Sequence, residues 1–119
     1  MKKNISVVGC GQWGKNLLRN FYELGVLHSI CDINNDISTK YSKYYNVNSL
    51  SFNEILNDSN IKGVVLTVPA QFHSQMAIDV MNRGKHVFVE KPLALNEIEA
   101  KLMIQTAKKN NAQIMVGHL

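Results

Sequence analysis

Three glycines near the amino terminus have a spacing that suits the binding of phosphate groups. Gly9, Gly11 and Gly14 form the pattern G-x-G-x-x-G between an apolar run and a stretch with helical periodicity. In such a corner the first glycine permits a tight turn, the second lets backbone approach a pyrophosphate, and the third lets the helix pack closely on its strand. Gln12 and Trp13 fall at the start of the helix, where backbone N–H groups and the helix dipole attract anions. The pattern predicts a dinucleotide-binding loop, and the alternative is a strand–turn–helix corner that needs glycines only for steric reasons.

An acidic residue at the end of the second predicted strand extends this pattern. Asp32 lies 23 residues after Gly9, where dinucleotide-binding folds place the carboxylate that accepts the ribose hydroxyls of adenosine. The same carboxylate repels a 2′-phosphate, and no arginine follows it closely, so the sequence favours NAD over NADP. The alternative role for Asp32 is a helix or turn cap. The turn cluster that begins at Asn34 predicts that Asp36 caps the next helix.

Apolar runs and helical patterns alternate along all 119 residues. Strands are predicted at 5–8, 26–31, 47–50, 62–68, 86–89 and 113–116. A helix is predicted over 37–45, and capping boxes at Ser51 with Glu54 and at Asn96 with Glu99 open two later helices. Strands that alternate with helices imply right-handed crossovers. The sequence therefore predicts one α/β domain over residues 1–119, a doubly wound parallel sheet of about six strands (Rossmann fold).

Most of the other distinctive residues follow predicted strands. They are Thr67 and Pro69 at the end of the fourth strand, Glu90 and Lys91 after the fifth, and His118 after the sixth. The carboxyl ends of parallel strands meet along one edge, where such sheets bind ligands, so we expect these residues to line the crevice of the glycine loop. His73 and His118 are each interpreted either as a hydrogen-bonded structural histidine or as a substrate contact.

Composition limits the classes of partner. Lys and Arg number 13 and Asp and Glu number 9, but the basic residues are dispersed, so the charge of +4 does not indicate a nucleic-acid surface. No apolar run reaches the ~18 residues of a membrane span. Cys10 and Cys31 are expected to be free thiols in a reducing cytoplasm. The sequence shows no metal-ligand spacing.

Taken together, these motifs resemble the amino-terminal half of the Gfo/Idh/MocA oxidoreductases, the family of glucose–fructose oxidoreductase and inositol dehydrogenase. The resembling pieces are Val8-Gly9-Cys10-Gly11-Gln12-Trp13-Gly14, Asp32, Thr67-Val68-Pro69 with His73, and Glu90-Lys91-Pro92. The glycine pattern is shared with many families, whereas Glu-Lys-Pro after a fifth strand is much more specific. The resemblance implies hydride transfer between NAD and a sugar, sugar nucleotide or related polyol, and a narrower likeness points to members that oxidise sugar nucleotides.

The resemblance also implies roles for individual residues. Lys91 is implied to be catalytic, because the family's lysine places the nicotinamide and the substrate and takes part in proton transfer; the alternative is a surface residue in the turn before Pro92. Thr67 and Pro69 would border the nicotinamide, and Glu90 would be a partner of Lys91 or a cap. The full set of expected cofactor-binding residues is Gly9, Gly11, Gln12, Trp13, Gly14, Asp32, Thr67, Pro69, Glu90 and Lys91.

Family members continue after the sixth strand into a second α/β domain, which supports oligomers and supplies further catalytic residues. This chain lacks that domain, so we expect a fragment that binds NAD but catalyses little, with an unusually apolar surface after the sixth strand. The full-length protein is expected to be a homo-oligomer through the missing domain. The alternative is a stand-alone nucleotide-binding sensor or interaction module without catalysis. An S-adenosylmethionine methyltransferase fits less well, because Val7 and Val8 stand where that class has an acidic residue.

Overall fold

Six parallel strands form one sheet in the computed structural model, which describes residues 2–11 and 14–117. The strands are β1 (Ile5–Val8), β2 (Leu27–Cys31), β3 (Asn48–Ser49), β4 (Gly63–Leu66), β5 (His86–Glu90) and β6 (Ile114–Gly117). Their order across the sheet is β3-β2-β1-β4-β5-β6. The predicted parallel sheet is therefore confirmed. The strand bounds differ: β5 extends one residue beyond the predicted stretch, β6 is shifted by one residue, and β2, β3 and β4 are shorter than predicted.

Helices cover both faces of this sheet. They are α1 (Gly14–Glu23), α2 (Asn35–Tyr45), α3 (Phe52–Asn57), α4 (His73–Asn82) and α5 (Glu97–Asn110), with a 3-10 turn at Ala70–Phe72 before α4. Because side chains alternate along a strand, Val7 packs in one core cluster with Leu18 of α1, whereas Val8 packs in the other with Met81 and Met103. The apolar residues of the central strands are thus buried on both sides, as a doubly wound fold requires.

The register of the central strands brings the predicted site residues to one edge. Val8 lies opposite Cys31 in β2 and opposite Leu66 in β4. Because these three strands end level with one another, the residues that follow them leave the sheet side by side. Glu90 ends β5 opposite Gly117 in β6, so the fifth strand joins the same edge.

Side-chain caps set the helix starts, and one of them differs from the prediction. Asn34, not Asp36, caps α2: its Oδ1 accepts hydrogen bonds from the N–H groups of Asp36 and Ile37 at 3.0 and 3.3 Å. The helix consequently begins at Asn35, two residues earlier than predicted, and Asp36 lies in its first turn. An asparagine in extended conformation just before a helix bonds the first N–H groups directly, and this geometry excludes Asp36 from the role.

The two predicted capping boxes have different outcomes. Ser51 and Glu54 form both reciprocal bonds, as predicted. Asn96 caps α5 by accepting from the N–H of Glu99, but the Glu99 carboxylate accepts from the N–H of Leu95 rather than from that of Asn96. The second capping box is therefore incomplete, because the Glu99 side chain bonds the residue before the cap instead of the cap itself.

Two apolar residues of β6 are exposed, whereas the expected unusually apolar surface after the sixth strand stays a prediction. β6 is an edge strand, and the side chains of Met115 and Val116 are 61% and 49% exposed. Leu102 on the neighbouring helix α5 is also exposed. Within the described residues no helix is long and apolar enough to cross a membrane.

Candidate functional site

The glycine loop after β1 contains two positions at which the fold itself requires glycine. Gly9 has φ +90°, and a Cβ there would lie 2.8 Å from the backbone oxygen and the hydroxyl of Thr67. A Cβ on Gly14 would lie 2.7 Å from the same hydroxyl and would overlap the carbonyl oxygen of Gly9. Thr67 therefore fills the space beside both glycines. Its hydroxyl donates to the carbonyl oxygens of Val8 (3.0 Å) and Gly9, which closes the loop against β4.

Gly11 has a different environment. It is exposed, its φ lies outside the left-handed region, and a Cβ added there would meet no described atom within 4 Å. The protein's own packing thus gives no reason for a glycine here, whereas the approach of a phosphate group to bare backbone does. The loop residues fit a pyrophosphate on this observation. Gln12 and Trp13, the other residues predicted here, lie outside the described residues.

Asp32 is held in place by two backbone donors. Its Oδ2 accepts from the N–H of Cys10 at 2.8 Å, and its Oδ1 accepts from the N–H of Asn34 at 2.8 Å. A carboxylate has about four acceptor sites, so each oxygen can accept a further hydrogen bond from a ligand. The two interpretations of Asp32 are compatible, because the contact with Asn34 is a turn contact and the half-buried carboxylate still faces the site.

A cavity adjoins Asp32 at the carboxyl ends of β2 and β3. It has a volume of about 400 Å³ and is lined by Cys31, Asp32, Ile33, Asn35, Ser38, Ser49, Leu50, Ser51 and Phe52. Its volume falls within the range of about 300–1,000 Å³ found for small-molecule sites, and its lining mixes hydroxyls with apolar groups. Ser38 and Ser49 were not singled out in the sequence, and Ser51 was predicted only as a helix cap. Ser49 ends β3 and Ser51 follows two residues later, at the sheet edge where such folds bind ligands.

The loop after β4 contains Thr67 and Pro69. The N–H of Thr67 donates to the carbonyl of Val8 at 2.9 Å, so both polar groups of this residue that face β1 are engaged in holding the glycine loop. Pro69 is exposed and directly precedes the 3-10 turn. The expectation that these two residues border a nicotinamide stays a prediction.

Glu90 and Lys91 follow one another at the end of β5 but face different surroundings. Burial raises the pKa of the Glu90 carboxyl, and the nearby His73 opposes this rise. Its Oε1 is buried and has no hydrogen-bond partner within the described part of the chain. The Lys91 side chain is exposed, whereas the backbone N–H of Lys91 donates to the carbonyl of Gly117 at 3.0 Å. The Lys91 side chain is therefore open to solvent at this edge of the sheet, and its catalytic role stays a prediction.

His73, the first residue of α4, has the hydrogen-bonded structural position that was one of its two interpretations. Its ring is 2% exposed, with Nε2 at 2.8 Å from the carbonyl oxygen of Val68 and Nδ1 at 2.8 Å from that of Pro92. His118 lies outside the described residues.

The fold and this edge of the sheet define a dinucleotide-binding domain. The sequence model of the Gfo/Idh/MocA group, described as "Oxidoreductase family, NAD-binding Rossmann fold", matches residues 3–118. The chain belongs to this family, and the predicted cofactor, NAD, is confirmed as the one its Rossmann domain binds. No group of three or more potential metal ligands occurs among residues 2–11 and 14–117.

Similar proteins include a glycosidase and several dehydrogenases. An alpha-N-acetylgalactosaminidase from Shewanella oneidensis is 34% identical over 94% of this chain, which spans 27% of that enzyme's length. A probable dehydrogenase from Thermotoga maritima is 28% identical, with a TM-score of 0.91 over 98% of this chain and 36% of that one. The WlbA dehydrogenase from Chromobactrium violaceum, solved with NADH and UDP-GlcNAcA, has a TM-score of 0.90 at 24% identity, over 98% of this chain and 35% of that one, and shows the shared fold.

Proposed function

We propose that this chain is the NAD-binding domain of an oxidoreductase that transfers a hydride between NAD and a hydroxyl-bearing carbon of a sugar, sugar nucleotide or related polyol. The observation that carries the proposal is the open space at Gly11 in a loop whose other two glycines the fold requires. Family membership and the sugar nucleotide present in the complex of the WlbA dehydrogenase support the substrate class.

Each residue of the site has a distinct task in this proposal. Backbone at Gly11 and the start of α1 bind the pyrophosphate, and the Asp32 carboxylate accepts the hydroxyls of the adenosine ribose. The loop at Thr67 and Pro69 borders the nicotinamide. When bound, NAD supplies the hydride acceptor or donor.

Lys91 carries the proton chemistry in this proposal. A sugar hydroxyl that is oxidised to a carbonyl loses its O–H proton as the carbon loses a hydride, and an amine within hydrogen-bond distance accepts that proton. In the reverse direction the ammonium form returns it. The exposed side chain at the shared strand edge supports this role, since it is open to a substrate beside the nicotinamide.

A glycosidase is the second candidate, favoured by the identity to the Shewanella oneidensis enzyme. The two activities differ in whether NAD is consumed or regenerated in each turnover. A dehydrogenase changes the oxidation state of one NAD for each substrate molecule, whereas a glycosidase that returns NAD unchanged releases a sugar with no net NADH. Absorbance of NADH measured together with release of a chromogenic aglycone therefore distinguishes them.

The setting of the protein is part of the same proposal. We place residues 1–119 in one domain, and we place the full-length protein in the cytoplasm as a homo-oligomer, without a nucleic-acid or membrane partner. The two free cysteines support a reducing compartment. The chain's share of its relatives' length supports low activity for this domain alone. A nucleotide-binding sensor would instead bind NAD without turning over a substrate, even when the full-length protein is assayed.

A pair of glycine variants tests the proposal. Gly11→Val should keep the fold and weaken NAD binding by at least ~100-fold, because the side chain occupies phosphate space. Gly9→Val should lose the fold, because its φ and its contacts with Thr67 exclude a side chain. Circular dichroism measures folding and calorimetry measures the NAD dissociation constant. Retained NAD affinity in a folded Gly11→Val protein contradicts the proposal.

A further inference from the structure

His73 joins the two loops that carry the residues on the nicotinamide side. Its ring lies between the carbonyl of Val68, just before Pro69, and the carbonyl of Pro92, just after Lys91. Both distances are 2.8 Å, and the ring is buried. One rigid side chain on α4 therefore fixes the separation of the loops after β4 and β5.

The chemistry of the two contacts suits a donating ring. Both partners are carbonyl oxygens, which only accept hydrogen bonds. A neutral imidazole has one N–H and donates to one carbonyl, whereas the protonated ring donates to both. Glu90 is the acidic group near the ring: burial raises the pKa of its carboxyl, His73 opposes that rise, and its buried Oε1 has no hydrogen bond among the described residues.

The loop of Lys91 has a second contact on its other side. The Lys91 N–H donates to the carbonyl of Gly117 in β6 at 3.0 Å. The backbone is thus held at Lys91 by Gly117 and at the next residue, Pro92, by the His73 ring, while the Lys91 side chain is exposed. Loss of the ring contact would release the loop on one side only.

We infer that His73 is a positioning residue: by bridging Val68 and Pro92 it holds Lys91 against the loop of Pro69 without touching the substrate. The inference rests on the proposed function, since the placement of Lys91 matters only if Lys91 acts on a bound ligand. Such placement has large effects, because a shift of about 1 Å in a reacting group costs on the order of 100-fold in rate.

Hydrogen exchange of the Lys91 amide tests the bridge in this chain directly. His73→Phe keeps a ring and removes both donors, so exchange at Lys91 should accelerate at least ~10-fold, with a smaller change at Val65 in the sheet centre. His73→Gln keeps a donor and should give an intermediate rate. His86→Phe, at the opposite end of β5, is the matched control and should leave Lys91 unchanged. If His73→Phe does not fold, the comparison is made with His73→Gln.

Two results overturn the inference. Unchanged exchange at Lys91 would show that the ring does not hold the loop, and equal acceleration at Lys91 and Val65 would show only a loss of overall stability. NADH binding adds an independent readout. His73→Phe should alter the emission of the bound nicotinamide while the dissociation constant stays within ~3-fold, because Gly11 and Asp32 are unaffected; an unaltered emission counts against the inference. Wild-type protein that binds no NADH overturns the proposed function instead, and the exchange rates still decide the role of His73.

Discussion

At the scale of single residues, Asp32 shows how a short side chain is prepared for a ligand. Two backbone N–H groups, one from the glycine loop and one from the turn before α2, fix the carboxylate at 2.8 Å each. Its position 23 residues after Gly9 is the basis for predicting a contact with the adenosine ribose, and that role stays a prediction. The contact with Cys10 was not predictable, because it depends on β1 and β2 ending level with one another.

The charge of Asp32 should decide which cofactor is preferred. Asp32→Asn should weaken NAD binding by roughly 10- to 100-fold, since hydrogen bonds to a charged group contribute about 1.5–3 kcal/mol, and should weaken NADP binding less because repulsion of the 2′-phosphate is removed. Calorimetry with both cofactors measures the change in their affinity ratio. Asp36→Asn removes an equal charge nearby and is the control. An equal change of the ratio in both variants would assign the preference to general charge rather than to the Asp32 contact.

At the scale of secondary-structure elements, sequence periodicity predicted the presence of strands and helices better than their first residues. All six strands were predicted, because runs such as Val64-Val65-Leu66 are apolar enough for a strand buried on both faces. The start of α2 was predicted two residues late, because Asn34 and Asp36 are both good capping residues and only backbone geometry selects between them. The link of His73 to Pro92 was likewise not predictable, since it joins residues 19 apart through the fold.

The cap of α2 gives a stability prediction. Asn34→Ala should lower the free energy of unfolding by about 1 kcal/mol, because two N–H groups lose their acceptor. Asp36→Ala should cost less, about 0.3–1 kcal/mol, because it removes only a favourable charge near the helix dipole. Urea unfolding followed by circular dichroism measures both. A larger loss for Asp36→Ala would reverse the assignment of the cap.

At the scale of the whole molecule, the two cysteines report on the integrity of the fold. Both are buried free thiols, and burial raises the pKa of Cys10 to about 12 and that of Cys31 to about 11. Asp32, which lies beside both, adds to the rise. Folded protein therefore keeps both thiols protonated and unreactive at neutral pH, and only unfolding exposes them.

Alkaline conditions should consequently destabilise the protein. The thiols of the unfolded chain ionise near pH 9.0 whereas those of the folded chain stay protonated, so their contribution is complete below pH 9.0 and is lost as pH rises toward 11 and 12. We expect a loss on the order of a few kcal/mol by about pH 11. The doubly substituted Cys10→Ala/Cys31→Ala protein should show a flatter dependence in urea titrations at each pH. Burial also raises the pKa of Tyr45 and lowers that of Lys85, but both groups are common to the two proteins, so equal slopes would contradict the prediction.

The closure of the glycine loop by Thr67 determines when a growing chain can first bind its cofactor. The loop is among the first segments synthesised, but the hydroxyl that closes it lies 58 residues after Gly9, in the loop that follows β4. Contacts this distant in sequence form late, because a long loop must be ordered before they form. A ribosome that has released only β1, α1 and β2 therefore presents the glycine loop and Asp32 without an assembled pocket. The cofactor accordingly binds only molecules in which the centre of the sheet has formed, and it does not stabilise the earliest folding intermediates.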